Sequence, residues 1–184
     1  MAVDVAEIAA ARRRGVDILE RGEHFVVEFR LDFVRGKERP RITGGHAYTP
    51  EATAASECIA WCAYEDACRE KYGCTVTAPE GVPVMVMVAA FGTMPAGRPK
   101  RDGNAEAFVV TPDADNIGKL VLDALNPKRE GRGKNRLLTR VGAWADDKQV
   151  TRLDVRKVAR IRGKEPSTHV VVRWPYEQGV PDGK

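Results

Sequence analysis

Val82-Pro-Val-Met-Val-Met-Val-Ala-Ala-Phe91 is the longest apolar run in the chain. At about ten residues and with a proline inside, it is half of what a membrane-spanning helix needs. Its valine-rich composition suits a strand lying centrally in a sheet. The segments on either side decide what kind of sheet. Upstream, His24 to Phe33 puts Phe25, Val27, Phe29, Leu31 and Phe33 on alternate positions, a strand pattern. Between the two strands, Thr49-Pro-Glu51 opens the most helical stretch, with Thr49 as N-cap and Pro50 in the first turn. That helix is predicted to reach Tyr72 and stop at Gly73. Downstream, a polar loop from Gly92 to Asn104 leads to a short strand, Ala107 to Val110. A helix from Asp115 to Leu125 and closing strands at Gln149 to Ile161 and Thr168 to Trp174 complete the pattern. The order is not regular βα alternation. It predicts an α+β fold in two layers, a mixed β-sheet with helices packed on one face.

At 184 residues the chain suits one compact domain. Residues 1–22 read as a helical N-terminal extension, with Val5, Ile8, Ala9, Val16, Ile18 and Leu19 among charges. Residues 23–174 form the domain and 175–184 a polar tail. No apolar stretch follows Arg12, Arg13 and Arg14, so no secretory signal is read and a cytoplasmic protein without a membrane span is expected. Cys58, Cys62, Cys68 and Cys74 lack the paired two-residue knuckles of zinc ribbons and sit in one predicted helix. Cys58 and Cys62, four apart, are expected to be buried, reduced packing residues.

Lys and Arg total 30 against 26 Asp and Glu, a net charge of +4 whose distribution matters more than its size. Basic residues cluster at Arg35 to Arg41 (with Lys37 and Arg39), at Arg98, Lys100 and Arg101, and along Asn126 to Ala145. That last segment, read as a long loop, carries Lys128, Arg129, Arg132, Lys134, Arg136 and Arg140 against a lone Glu130. Clustered positive charge favours a polyanionic partner, and phosphate contact is one reading of the loop; a solvated insertion is the other.

The chemistry concentrates in Pro112-Asp-Ala-Asp-Asn-Ile-Gly-Lys-Leu-Val-Leu-Asp-Ala-Leu125. Asp113 and Asp115 flank a strand-to-helix junction, where one aspartate would be explained by capping. Steps of four put Asp115, Lys119 and Asp123 on one helix face. A second acidic pair, Asp146-Asp147, starts the next strand, so only one of the two is expected to enter a given pocket. Three carboxylates within about 5 Å would repel by roughly 3 kcal/mol per pair at an effective dielectric near 20. A divalent cation relieves that repulsion, and all-oxygen ligands suit Mg²⁺ or Mn²⁺. Such a cation polarises a phosphoryl oxygen and activates water, with Lys119 placed to stabilise transition-state charge. The combination describes a phosphodiester hydrolase.

Asp113-Ala-Asp-Asn-Ile-Gly-Lys119, Leu122-Asp-Ala-Leu125 and Asp146-Asp-Lys-Gln-Val150 resemble the signature of RusA-type Holliday junction resolvases. Gly36-Lys-Glu-Arg-Pro-Arg41 and Ala47-Tyr-Thr-Pro50 are similar to that family's N-terminal basic turn and helix start. The resemblance spans about residues 24–174. It implies a homodimeric, Mg²⁺-dependent endodeoxyribonuclease of phage or prophage type that cuts branched DNA, four-way junctions above all, in recombination and repair. It implies metal-binding aspartates at Asp113, Asp115 and Asp147, with Asp147 rather than Asp146 taken from the pair, and a catalytic lysine at Lys119. Asp123 matches a position often acidic in the family. Pro112 stands where some members carry a basic residue, the 126–145 segment is longer than expected, and residues 1–22 precede the usual start.

Two other readings compete. An Asp-x-Asp phosphatase of the haloacid dehalogenase type would want Thr or Val where Ile117 stands, and βα alternation that is missing. A non-catalytic binder of branched DNA, or a phage DNA-processing accessory protein of the same fold, would have no need of the full acidic set with Lys119.

Overall fold

A computed structural model describes residues 24–39, 41–43, 46–97, 99, 103–130 and 137–175. In chain order the elements are β1 (His24–Leu31), β2 (Arg41–Thr43), β3 (His46–Tyr48), α1 (Glu51–Tyr72), β4 (Val84–Thr93), β5 (Ala105–Glu106) and α2 (Ala114–Leu125). Then follow β6 (Lys128–Glu130), β7 (Leu137–Arg140), a 3₁₀ turn (Asp147–Gln149), β8 (Val150–Ile161) and β9 (Ser167–Pro175).

The apolar run becomes β4, the middle strand of a five-stranded sheet ordered β1-β9-β4-β8-β5. β4 pairs parallel with β8 and antiparallel with β9, and β1–β9 and β8–β5 are antiparallel, so the sheet is mixed. Parallel neighbours need a crossover, and α2 lies in the connection from β4 to β8. The two helices pack against each other, α1 also against β1 and α2 against β8. This is the α+β arrangement expected.

Alternation supplies the core. Val27, Phe29 and Leu31 of β1, Val84, Val86, Val88 and Ala90 of β4, and Val170, Val172 and Trp174 of β9 are buried under the helices. Each such side chain contributes about 1.5–3 kcal/mol of burial before entropy is charged. From α1 come Ala60, Trp61, Tyr64 and Cys68, and from α2 Ile117, Val121, Ala124 and Leu125. Burial pushes the Tyr64 phenol far above its ordinary value, so it acts as a neutral donor to the Val76 carbonyl at 2.8 Å. At the sheet edge, the Tyr72 hydroxyl bonds both the amide and the carbonyl of Val26, at 2.9 Å each.

Several sequence expectations need correction. The first helix begins at Glu51, with Pro50 in the cap position; Thr49 is exposed, and the Pro50 carbonyl receives the amides of Thr53 and Ala54 at 3.0 Å. Its end is as expected: Gly73 takes φ 77° and returns its amide to the Arg69 carbonyl. The short strand is Ala105–Glu106, not Ala107 to Val110. Val109 is 84% exposed, and only Phe108 turns inward. Cys58 and Cys62 are exposed free thiols, as is Cys74; only Cys68 is buried. The inward stripe of α1 runs through Glu57, Ala60, Trp61, Tyr64 and Cys68, which leaves Cys58 and Cys62 on its flank.

The described residues of the expected 126–145 loop are largely structured. β6 and β7 pair as a hairpin, and Ala143 and Trp144 are fully buried. Lys128 pairs at 2.6 Å with Glu57, a carboxylate whose side chain is buried, and Arg140 lies 4.8 Å over the Trp61 ring while bonding the carbonyls of Ala124 and Asn126. These two cations anchor the hairpin to the helices. Arg132, Lys134 and Arg136 lie outside the described residues, as do Arg98, Lys100, Arg101, the 1–22 extension and the tail beyond 175. No helix among the described residues is long and apolar enough to cross a membrane.

Candidate active site

The first aspartate, Asp113, occupies the N-cap position of α2 with extended backbone (φ −70°, ψ 149°), and its side chain makes no cap hydrogen bond. Its carbonyl begins the helix by accepting the Ile117 amide at 3.1 Å. The carboxylate is therefore exposed at the positive end of a helix dipole without serving the helix. Asp115, in the first turn, reaches forward to Lys119 at 2.9 Å. That hydrogen bond, with the ammonium's charge, holds the Asp115 carboxyl below the usual carboxylate range. The apolar face of α2 (Ile117, Leu120, Val121, Ala124, Leu125) is buried, so Asp115, Lys119 and Asp123 necessarily line its outer side.

Asp123 has a partner the sequence does not announce. Lys37, from the basic turn after β1, forms an ion pair with it, both side chains about one-third exposed. The Lys37 amide also donates to the Asn116 carbonyl at 2.8 Å. A Cβ built on Gly36 would lie 2.8 Å from Asn116 Cβ and 2.9 Å from Pro112 Cβ, so only glycine permits this approach. Arg35 and Arg39 are exposed on the same turn. Arg41 lies in β2, its side chain outside the described set.

The second acidic pair does not start a strand. Asp146 caps a 3₁₀ turn, its carboxylate accepting the Lys148 amide at 2.9 Å, while Gln149 Oε1 accepts the amides of Ala145 and Asp146 at 2.9 and 3.1 Å. This reciprocal capping box draws Asp146 below its ordinary pKa, chiefly through the Lys148 amide. Gln149 Nε2 fixes the turn to the body, donating to the carbonyls of Pro79 at 2.6 Å and Val82 at 3.0 Å.

The two acidic places stand at opposite ends of α2. Close to Asp113, Lys157 of β8 donates to the Val110 carbonyl and sits 4.8 Å over Phe108. Midway, a Cβ on Gly118 would lie 2.9 Å from Val155. At the far end, Ala143 bonds the Leu125 carbonyl and Trp144 the Asn126 side chain, and Asp147 follows three residues later. Among the described residues no three His, Cys, Asp or Glu side chains gather into a metal-holding group. Among the described residues Asp113, Asp115 and Asp147 are thus not gathered into the one cluster expected from the sequence. Asp113 and Asp115 belong to the start of α2, and Asp147 to the turn that precedes β8.

A family model described as endodeoxyribonuclease RusA matches residues 33–173. The chain belongs to the RusA endodeoxyribonuclease family. Among curated proteins no relative matches it. Membership makes it a DNA-cleaving protein of a family that resolves Holliday junctions. The matched span begins just after β1 and runs into β9, and it includes the basic turn, both helices, the hairpin and both acidic places.

Sequence reasoning missed Glu57, Gln149 and Lys157 as supports of the site. Glu57 meets Lys128 across 71 positions of chain, which no local pattern reports. Gln149 did carry a signal: Asp146-x-x-Gln149 is the spacing of a capping box.

Proposed function

We propose that this chain is a Mg²⁺-dependent, structure-selective endonuclease of branched DNA. Asp113, Asp115 and Asp147 would hold the cation and Lys119 would act on the scissile phosphate. The observation that carries the reading is Asp113: an aspartate in the cap position of an active-site helix whose carboxylate does not cap it. The donor set fits a hard cation, being all carboxylate oxygen and exposed at the surface, and it would also accept Mn²⁺. A bound cation would supply Lewis-acid polarisation of a phosphoryl oxygen and a more acidic water. The chain's own residues do the rest. Asp115 keeps Lys119 extended along the outer face of α2, and the ammonium is there to neutralise charge developing on the phosphate. Arg35 and Arg39 lie on the turn packed over the start of α2, on the side from which a phosphate backbone would approach.

We infer a homodimer with composite sites. Asp147 lies past the end of α2 distant from Asp113 and Asp115, and a helix of 12 residues is about 18 Å long. A two-fold partner that sets its Asp147 turn beside the start of α2 would complete both sites at once, and two sites on one symmetric body suit paired nicks in a four-way junction.

The test is cleavage of synthetic four-way, three-way, flap and duplex DNA side by side, with Mg²⁺ and with chelator. Mg²⁺-dependent cutting of the branched substrates in preference to duplex is expected. Binding without cutting in any metal would leave the non-catalytic reading. Lys119→Ala should lower turnover about 100-fold while the Mg²⁺ concentration for half activity stays put. A shifted metal requirement at unchanged saturated turnover would remove Lys119 from the chemistry. A mixture of Asp113→Asn and Asp147→Asn chains should regain activity that neither has alone, because a hybrid dimer keeps one intact composite site. No recovery would argue that each site is built within one chain.

A further inference from the structure

We propose that Lys37 and Asp123 form a positioning pair that sets the basic turn against the opening of α2, so that Lys37 serves the protein and not the DNA. The proposal rests on the nuclease reading for its consequence, but the pair itself is read from geometry alone. The turn is held at four points. Lys37 meets Asp123 through its ammonium, and its amide meets the Asn116 carbonyl at 2.8 Å. Gly36 lies flush on Asn116 and Pro112, and the Glu38 amide points to Thr53 Oγ1 at 3.4 Å. The turn is thereby strapped to the first turn of α1 and along α2 from Asn116 to Asp123. It forms one wall of a cleft of about 320 Å³ whose other walls include Thr53, Ser56 and Pro112, the last directly before Asp113.

Charge assigns the roles. A cation that grips phosphate contributes by releasing counterions, which requires that its charge be uncompensated. Asp123 compensates Lys37, and both side chains are about two-thirds covered. Arg35 and Arg39 are exposed on the same turn, and their distance from Asp113 is set by how firmly the turn is held. Breaking the pair would let the turn lift from α2 and misplace both arginines, while the carboxylates and Lys119 stay where they are. Asp123 thus acts through Lys37 and touches neither cation nor substrate.

The experiment uses the full chain with Lys37→Met, Asp123→Asn, the two combined, and the charge swap Lys37→Asp with Asp123→Lys. Hydrogen exchange at the Lys37 amide is measured without DNA, and KM, kcat and the salt dependence of binding are measured on a four-way junction in Mg²⁺. Each single change should speed exchange at that amide and raise KM, by about fivefold each, with kcat moving less than KM. The double variant should be no worse than either single, and the swap should recover most of the loss, as for two residues acting as one unit. Lys37→Met should leave the slope of log affinity against log salt unchanged. A slope reduced by nearly one unit in Lys37→Met, with Asp123→Asn neutral or tighter in binding, would make Lys37 a phosphate contact and overturn the proposal. Unchanged exchange in both single variants would overturn it as well. If wild type fails to cut DNA under any metal, the nuclease reading falls, while the exchange and double-variant arms still decide whether the pair clamps the turn.

Discussion

Asp113 and Asp146 hold the same local position, an aspartate at the N-cap of a helical segment with a second aspartate close behind, and use it in opposite ways. At Asp146 the carboxylate receives the Lys148 amide, and Gln149 completes the box. At Asp113 the helix starts without help from the side chain. The difference lies in what else holds each segment. α2 has six buried residues in its 12, enough to fix it by packing, so its cap carboxylate can be left unused. The Asp147–Gln149 turn is three residues long and cannot hold itself by packing, so Asp146 and Gln149 are spent on its geometry. What capping leaves unused is Asp113 at one end and Asp147 at the other. The choice of Asp147 over Asp146, which rested on family resemblance, thereby gains a physical reason.

The strongest way to break this comparison is to neutralise each carboxylate in turn. Asp113→Asn, Asp115→Asn and Asp147→Asn should each abolish Mg²⁺-dependent cleavage of a four-way junction, with binding retained or tightened because a negative charge facing phosphate is gone. Asp113→Asn should leave the thermal midpoint nearly unchanged, since no cap bond is lost. Asp146→Asn should show the reverse: a lower midpoint and a smaller loss of cleavage. Near-normal cutting by any of the first three would remove that residue from the proposed site. If Asp146→Asn were the worse of its pair in cleavage, the division between capping and chemistry would fail.

Much of this was legible beforehand and some was not, for definite reasons. β1, α2 and β9 follow from periodicity because one face of each is buried, and burial writes itself into the sequence every two or every three to four residues, whereas β4 follows from its continuous apolar run. The side of α1 facing the core was misjudged because its stripe begins with Thr53, Ser56 and Glu57, polar residues that pattern-reading assigns to solvent. Glu57 is buried only because Lys128 arrives from the hairpin to meet it. The hairpin was read as a loop, phosphate-touching or merely solvated, for the complementary reason: Lys128 and Arg140 look like unpaired cations in the sequence, whereas their partners are Glu57, Trp61 and two backbone carbonyls. The acidic residues and Lys119 stood out because their types and spacing are chemical. Their separation along α2 was invisible, because it depends on which end of the helix the returning chain docks against.

The next effect in size concerns Gln149. It is 7% exposed and uses both ends of its amide, accepting two backbone amides and donating to two backbone carbonyls. Gln149→Leu keeps the volume but strands those groups, at about 1–3 kcal/mol for each left unsatisfied. Chemical denaturation should show a loss of about 3 kcal/mol, and cleavage should fall even where the protein remains folded, because the turn carrying Asp147 has lost its anchor. Gln149→Glu should recover little of this, since a carboxylate accepts from Ala145 and Asp146 but cannot donate to Pro79 and Val82. Full stability in Gln149→Leu would show that Asp146 alone holds the turn.

The smallest effect is in acid, and it sharpens the comparison by separating two ways of holding a carboxylate ionised. Asp146 is drawn below its ordinary value chiefly by the Lys148 amide, Asp115 chiefly by the hydrogen bond and charge of Lys119. In both cases the folded value lies under the unfolded one, so folding favours the ionised form. The stability each contributes is therefore complete above the unfolded value, about pH 4, and disappears as pH falls through the lower folded value. Thermal midpoints followed from neutrality down to about pH 2 should show Asp146→Asn and Asp115→Asn below wild type near neutrality, with both gaps closing in acid. Salt tells the two apart. The Asp115–Lys119 pair is mostly exposed, at 63% and 60%, so it is screened and worth little, and its gap should vanish in about 0.5 M salt. The Asp146 gap should persist there, because a backbone amide held in place by the turn is a directional donor that salt does not displace. If both gaps closed alike in salt, Asp146 would be held by the charge of Lys148, and the capping box would not be what distinguishes it from Asp113.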